Sequence, residues 1–274
     1  MSGKSKGGYA YDKNRNKTIA QVSILIVCFV MIAVLTVMFS SFSKKKNGTD
    51  YQNPTLVQRQ VPADDATVAV FETTKGTFKA VIYEDKAPEF CKYFKDLVKD
   101  EYYDGTYVFS AEKDVYFLGG SKAKDGTDTA DTDKTTFDKE INADLWPFKG
   151  ALIAFGGKNN KFISSTVSGS RIMFVGSVEF TDEFKAELDS ASDNKEVNKA
   201  FEEMGGVPNF TKQYTIFGQV YDGMDVYEKI CAAETTDSSS AELAEEIKFT
   251  KVYLSTYGQH KNDSFFPDKQ DSSK

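Results

Sequence analysis

The chain has one histidine, His260, in 274 residues, and it sits in a polar C-terminal run. A single histidine outside any motif excludes a Ser-His-Asp triad and argues against a zinc site. Three cysteines, Cys28, Cys91 and Cys231, are too few for a disulfide framework, and none forms a C-x-x-C pair. Cys91 and Cys231 fall beside apolar helix faces and read as buried free thiols. No motif for a cofactor or metal is present, so none is expected. Arginine is also scarce: Arg15, Arg59 and Arg171 are the only three, Arg171 is the only one after Arg59, and the chain otherwise relies on lysine.

What charge there is lies unevenly. Residues 1–46 hold eight basic side chains and one acidic one, for +7; the whole chain is −7, so residues 47–274 carry −14. An outer part this acidic excludes nucleic acid as a partner and disfavours lying flat on an anionic membrane. Between the basic flanks, Ile19 to Phe42 carries no charge. It is long enough to cross a bilayer as a helix, which needs roughly 20 residues. The longer basic flank precedes it, which predicts a cytoplasmic tail over 1–18 and everything after the span outside the cell membrane. A cleaved signal peptide ending near Ser41-Phe42-Ser43 is the rival reading, disfavoured because its apolar core would exceed the usual ~7–15 residues.

Residues 43–66 are polar, contain Pro54 and Pro62, and read as a linker. "TVAVFETTKGTFKAVIY" (67–83) alternates around Lys75-Gly76, the pattern of a β-hairpin. "DKAPEFCKYFKDLVKDEYY" follows as a helix, with Pro88 in its first turn and Phe90, Phe94, Leu97 and Val98 on one face. Short strands are expected near 106–110, 114–118, 150–155, 170–175 and 214–220, then a helix in "GMDVYEKICAA" and a last strand in "EIKFTKVYLSTY". Residues 121–136 form a polar loop whose aspartates lack the spacing of a calcium loop. Residues 181–206 look like an insert with one or two short helices. Residues 258–274 read as a disordered tail.

Strands with one helix after the first hairpin and another before the last strand suggest a closed, mainly β barrel capped by helices. Four segments go further. "TTKGTFKAVIYEDKAPEFCKYFKDLVKDEYYDGT", "EINADLWPFKGALIAF", "SGSRIMF" and "GGVPNFTKQYTIFGQVYDGMDVYEKI" occur in order and at sensible spacing. Together they resemble cyclophilin-type peptidyl-prolyl isomerases over residues 67–257. The membrane span and the insert are similar to exported Gram-positive members of that family. The resemblance implies an eight-stranded antiparallel barrel with an outer groove that takes a proline ring. It also implies an arginine that donates toward the prolyl nitrogen, and Xaa-Pro segments of exported proteins as partners.

The stretch "YYDGTYVFSAEKDVYFLGG" (102–120) keeps the family's frame and changes its working residues. Matched without gaps, the arginine position is Ser110. The groove positions become Val115, Tyr116, Leu118, Phe155, Met173, Phe210 and Tyr214. Arg171 replaces a groove glutamine. It is either a relocated catalytic charge or an exposed arginine pairing with surface acids such as Glu112. The sequence therefore predicts a membrane-anchored isomerase of weak or absent activity. Its alternatives are a non-catalytic proline-peptide binder and a scaffold in a membrane complex.

Overall fold

The computed structural model describes residues 50–127, 135–155, 166–192, 194–236 and 241–268, without the side chains of 166–168. The Ile19–Phe42 segment lies outside the described residues, among which no helix is long and apolar enough to cross a membrane.

The hairpin forms as expected. β1 (Thr67–Thr73) pairs antiparallel with β2 (Gly76–Ile82), closing from Val68↔Val81 to Thr73↔Gly76. Helix α1 (Pro88–Lys99) follows with Pro88 in its first turn and buries Phe90, Cys91, Phe94, Leu97 and Val98. Its N-terminal amides are capped from far along the chain. The Glu140 carboxylate accepts from the backbone N–H groups of Glu89 and Phe90, both at 3.0 Å. A carboxylate suits those orphan donors and the positive end of the helix.

The remaining elements are β3 (Tyr107–Glu112), β4 (Tyr116–Ser121), β5 (Thr136–Asp138), β6 (Ala151–Phe155), β7 (Thr166–Ser168) and β8 (Arg171–Val175). Helices α2 (Asp182–Ala191) and α3 (Lys195–Met204) come next, then β9 (Ile216–Asp222), α4 (Met224–Cys231) and β10 (Ile247–Thr256). Eight strands close a barrel in the order β1-β10-β3-β4-β8-β6-β9-β2, with every pairing antiparallel. β5 and β7 pair separately, a ribbon that the periodicity of the sequence does not predict.

The barrel interior is aromatic. Phe117 stacks on Phe174 with centroids 4.5 Å apart, and Phe71 stacks on Phe78 at 4.9 Å. Each such side chain buried contributes roughly 1.5–3 kcal/mol. Cys91 and Cys231 are free and buried, as expected, and burial raises both thiol pKa values well above the ordinary range. The insert does form two helices. Thr181 and Asn194 cap α2 and α3 by accepting from Phe184 N and Val197 N, and Phe201 packs on Phe148 at 4.8 Å.

Two segments read as unstructured are attached to the barrel instead. In the expected linker, Leu56 is buried and Val57–Arg59 forms a 3-10 turn. Gln58 is fully buried: its Nε2 donates to the Trp146 carbonyl and to Gln219 Oε1, and its Oε1 accepts from Trp146 N. In the expected disordered tail, Phe266 is fully buried beside Tyr221 and Tyr257. Arg59 joins the two ends, with one nitrogen on Glu203 of α3 at 2.7 Å and another on Asp268 at 2.9 Å. Polar composition hides these contacts, because a few side chains in each segment carry all the burial.

Gln58 is the centre of this clasp. Gln58→Leu leaves the buried Trp146 N–H and Gln219 Oε1 without the partner Gln58 gives them, at about 1–3 kcal/mol for each unsatisfied group, while the Trp146 carbonyl keeps the Phe148 N–H. We expect a stability loss of about 2–4 kcal/mol, read as a lower urea midpoint at an unchanged slope.

Candidate functional site

Along β8 the side chains alternate. Ile172 and Phe174 belong to the interior core, and Met173 and Val175 to a second apolar cluster outside the barrel wall. β4 and β6 follow the same rule: Phe117, Leu152 and Ala154 point in, while Leu118 and Ile153 point out. Strand register then aligns the outer set, with Leu118 opposite Met173 and Met173 opposite Ile153. Three neighbouring strands thus present one apolar row.

Aromatic residues border this row. Val115, Tyr116, Phe155 and Phe210 are partly buried against the outer cluster, and Tyr214 is buried within it. The Phe210 ring lies 5.4 Å from Tyr214, edge to face, and 6.2 Å from Tyr116. All seven sequence-predicted groove residues therefore share one cluster. Burial pushes the Tyr116 hydroxyl pKa up, with a smaller push from the Glu112 charge. Burial raises Tyr214 further. Gly176 makes part of this arrangement possible. A Cβ there would lie 2.0 Å from the Asp114 carbonyl oxygen, so only glycine lets the end of β8 pass the turn that presents Val115.

Ser110 reaches this face through a bulge. The β3–β4 register shifts between Val108 and Ser110. Val108 and Ala111 both belong to the interior core, so the extra residue leaves Phe109 and Ser110 together on the outer side. Ser110 pairs with Leu118, next to the apolar row. A bulge beside a candidate site is a common device for aiming a side chain.

Arg171 is neither exposed nor paired with Glu112. It is 2 % exposed, and its Nη1 donates to the Gly120 carbonyl at 2.9 Å and to the Tyr102 and Ser170 hydroxyl oxygens at 3.2 Å. The guanidinium carbon lies 5.7 Å from the centre of the Phe109 ring. The arginine thus packs behind the bulge that carries Ser110.

Sequence reasoning missed two residues of this face. Phe109 joins it only because of the bulge. Lys139 places its Nζ 5.6 Å from the centre of the Tyr214 ring. Two clefts of about 270 Å3 lie elsewhere, one under residues 57–66 against β2 and one beside Phe265 and Met224. Leu118, Met173 and Ile153 are themselves 7 %, 2 % and 0 % exposed, so the part of this cluster that meets solvent is its rim of Val115, Tyr116, Phe155 and Phe210, and an aromatic rim of this kind suits an extended chain. Among the described residues, no cluster of His, Cys, Asp or Glu could hold a metal ion.

Lys212, in the loop between Phe210 and Tyr214, sits 3.7 Å from the centre of the Tyr51 ring, and burial lowers its pKa from 10.5 to about 8. Between those values the unfolded chain keeps a proton that the folded chain has released. Stability from this site therefore rises as pH goes from about 8 to 10.5, and below that window the cost of desolvating the charge is fully present. Carbon NMR at Cε should find Lys212 half-titrated near pH 8, and Lys212→Met should flatten the rise in urea midpoint over that window.

Comparison with known proteins follows the same lines. Residues 68–253 match the model of the family described as cyclophilin type peptidyl-prolyl cis-trans isomerase/CLD. A provisionally named peptidyl-prolyl cis-trans isomerase of Staphylococcus epidermidis is 26 % identical over 168 residues, covering 61 % of this chain and 82 % of its own. A protein of Staphylococcus aureus with the same provisional name is 26 % identical over 162 residues, covering 59 % of this chain and 79 % of its own. The fold is similar to that of a Cryptosporidium parvum cyclophilin type peptidyl-prolyl cis-trans isomerase crystallised in the presence of the dipeptide Ala-Pro. The TM-score is 0.52 at 19 % identity, over 69 % of this chain and 99 % of that one. With a family model spanning most of the chain and an eight-stranded barrel of the matching shape, the protein belongs to the cyclophilin-type peptidyl-prolyl cis-trans isomerase family.

Proposed function

We propose that the outer apolar face binds Xaa-Pro segments of exported proteins and isomerises them weakly. The single observation that carries this reading is the alignment of Leu118, Met173 and Ile153 across three strands, bordered by Tyr116, Phe210 and Tyr214. A proline ring is apolar and rigid, and an aromatic-edged apolar row suits it.

Rotation about an Xaa-Pro bond must break amide resonance, with an uncatalysed barrier near ~20 kcal/mol. A donor to the prolyl nitrogen stabilises the twisted state over the planar one and so lowers that barrier. At the family's arginine position this chain offers the Ser110 hydroxyl, a neutral donor roughly half as strong as a charged one. Arg171 is the other candidate donor. Its burial behind Phe109 and its bonds to Tyr102, Gly120 and Ser170 favour a positioning role, holding the bulge in shape. A non-catalytic proline-peptide binder is the second reading, favoured by the lack of a permanent charge at Ser110.

Exchange NMR on an Xaa-Pro peptide with the full chain tests this. We expect exchange above the uncatalysed rate, reduced about ten-fold or more by Met173→Ala or Tyr214→Ala. Peptide shifts without exchange at high protein concentration would establish the binder instead. Exchange that Arg171→Ala abolishes while peptide binding persists would move the donor to Arg171.

We also propose that Ile19–Phe42 anchors the chain in the cell membrane with residues 43–274 outside. The uncharged run and its longer N-terminal basic flank support this topology. The chain should sediment with membranes and resist carbonate extraction, and protease added to intact cells should remove the barrel. Protection of the barrel until the cells are lysed would reverse the topology.

A further inference from the structure

Lys139 occupies an unusual position. The residue after it is fixed twice: Glu140 N donates to Thr215 Oγ1 at 2.9 Å, and the Glu140 carboxylate caps α1. The first bond ties this segment to the start of β9, beside Tyr214. The second commits the Glu140 carboxylate to α1, and the other flanking acid, Asp138, is exposed at the end of β5. Lys139 is left with its ammonium over the Tyr214 ring, part-buried. Burial lowers its pKa, and among the described residues no carboxylate acts to raise it again.

This contrasts with the other part-buried lysines of the barrel surface. Lys79 pairs with Asp222 and Lys86 with Asp144, each within ion-pair distance. Lys139 has no such carboxylate among the described residues. The opposite border of the face has the other sign, because the Glu112 charge acts on Tyr116. A chain lying along Tyr116, Phe210 and Tyr214 therefore meets an acid at one end and a cation at the other.

We infer that Lys139 is a specificity-determining residue, which selects proline segments carrying an aspartate or glutamate close to the proline. This rests on the proposal that the outer face binds Xaa-Pro segments. A carboxylate seated beside Tyr214 would give Lys139 the ion pair that its own chain does not supply. The ring beneath the ammonium fixes its position before the peptide arrives, so little side-chain freedom is lost on pairing.

The test uses the full chain and a series of neutral proline peptides in which one glutamine is moved from two residues before the proline to two residues after it. Each is compared with its glutamate counterpart by NMR titration. The glutamate form should bind about two- to five-fold tighter at one position in the series, the range for a partly exposed ion pair. The preference should fade at high salt. Lys139→Gln should abolish it, read as a glutamate-to-glutamine affinity ratio that falls to one at every position of the series, whatever the change in affinity for the neutral peptides. Equal binding of glutamate and glutamine peptides by the unaltered chain, or a preference that survives Lys139→Gln, would overturn the inference and leave the proline-binding reading intact. Failure to bind any peptide of the series would overturn that reading, and the inference with it.

Discussion

Everything at this site depends on strands that are apolar on both faces. A barrel wall needs only its inner face to be apolar, since the outer face can meet water. Here β8 is buried along its whole length, Ile172 and Phe174 inward and Met173 and Val175 outward. The interior set closes the barrel. The outer set must be covered by something, and the structure solves this differently around the circumference. On one side the residue 56–60 segment and the C-terminal run around Phe266 cover it, held by Gln58 and Arg59. On the side of Leu118 and Met173 it is covered by Tyr116, Phe210 and Tyr214, and of these rings Tyr116 and Phe210 stay partly exposed. The face proposed to take a peptide is the part of the outer wall where aromatic side chains, not the chain's own ends, form the cover.

That division explains what was legible in the sequence. The hairpin of β1 and β2 and the face of α1 follow from period and spacing alone, whereas the alternation of β8 does not, because Ile172 to Val175 is one apolar run. The groove positions were legible because the family frame fixes strand register, and register carries Met173 and Leu118 to the same side once their spacing is known. The clasp was not legible. Residues 43–66 and 258–274 are polar in composition, and local pattern cannot show that Gln58 will meet Trp146 or that Phe266 will meet Tyr221 across the fold. Arg171 misled for a related reason. A charged residue reads as surface, yet here the Gly120 carbonyl and the Tyr102 and Ser170 hydroxyls accept from its Nη1 and replace part of its lost hydration. Lys139 carried no signal, because its partner ring lies far along the chain.

The chemistry of a face without the family's arginine can still be argued from the amide. A planar Xaa-Pro amide owes its barrier to resonance, which places partial negative charge on oxygen and partial positive charge on nitrogen. Twisting the bond removes that charge separation. Water stabilises the planar, more polar state, so transfer of the amide to an apolar surface disfavours the planar state relative to the twisted one. Met173, Leu118 and the three rings can supply this part of the effect with no charged group at all. A donor at the prolyl nitrogen adds to it, and the neutral Ser110 hydroxyl adds less than a guanidinium would. The proposed weak isomerase follows from this division: its desolvating half would be the apolar and aromatic side chains on β4, β6 and β8, and its electrostatic half one hydroxyl on a bulge.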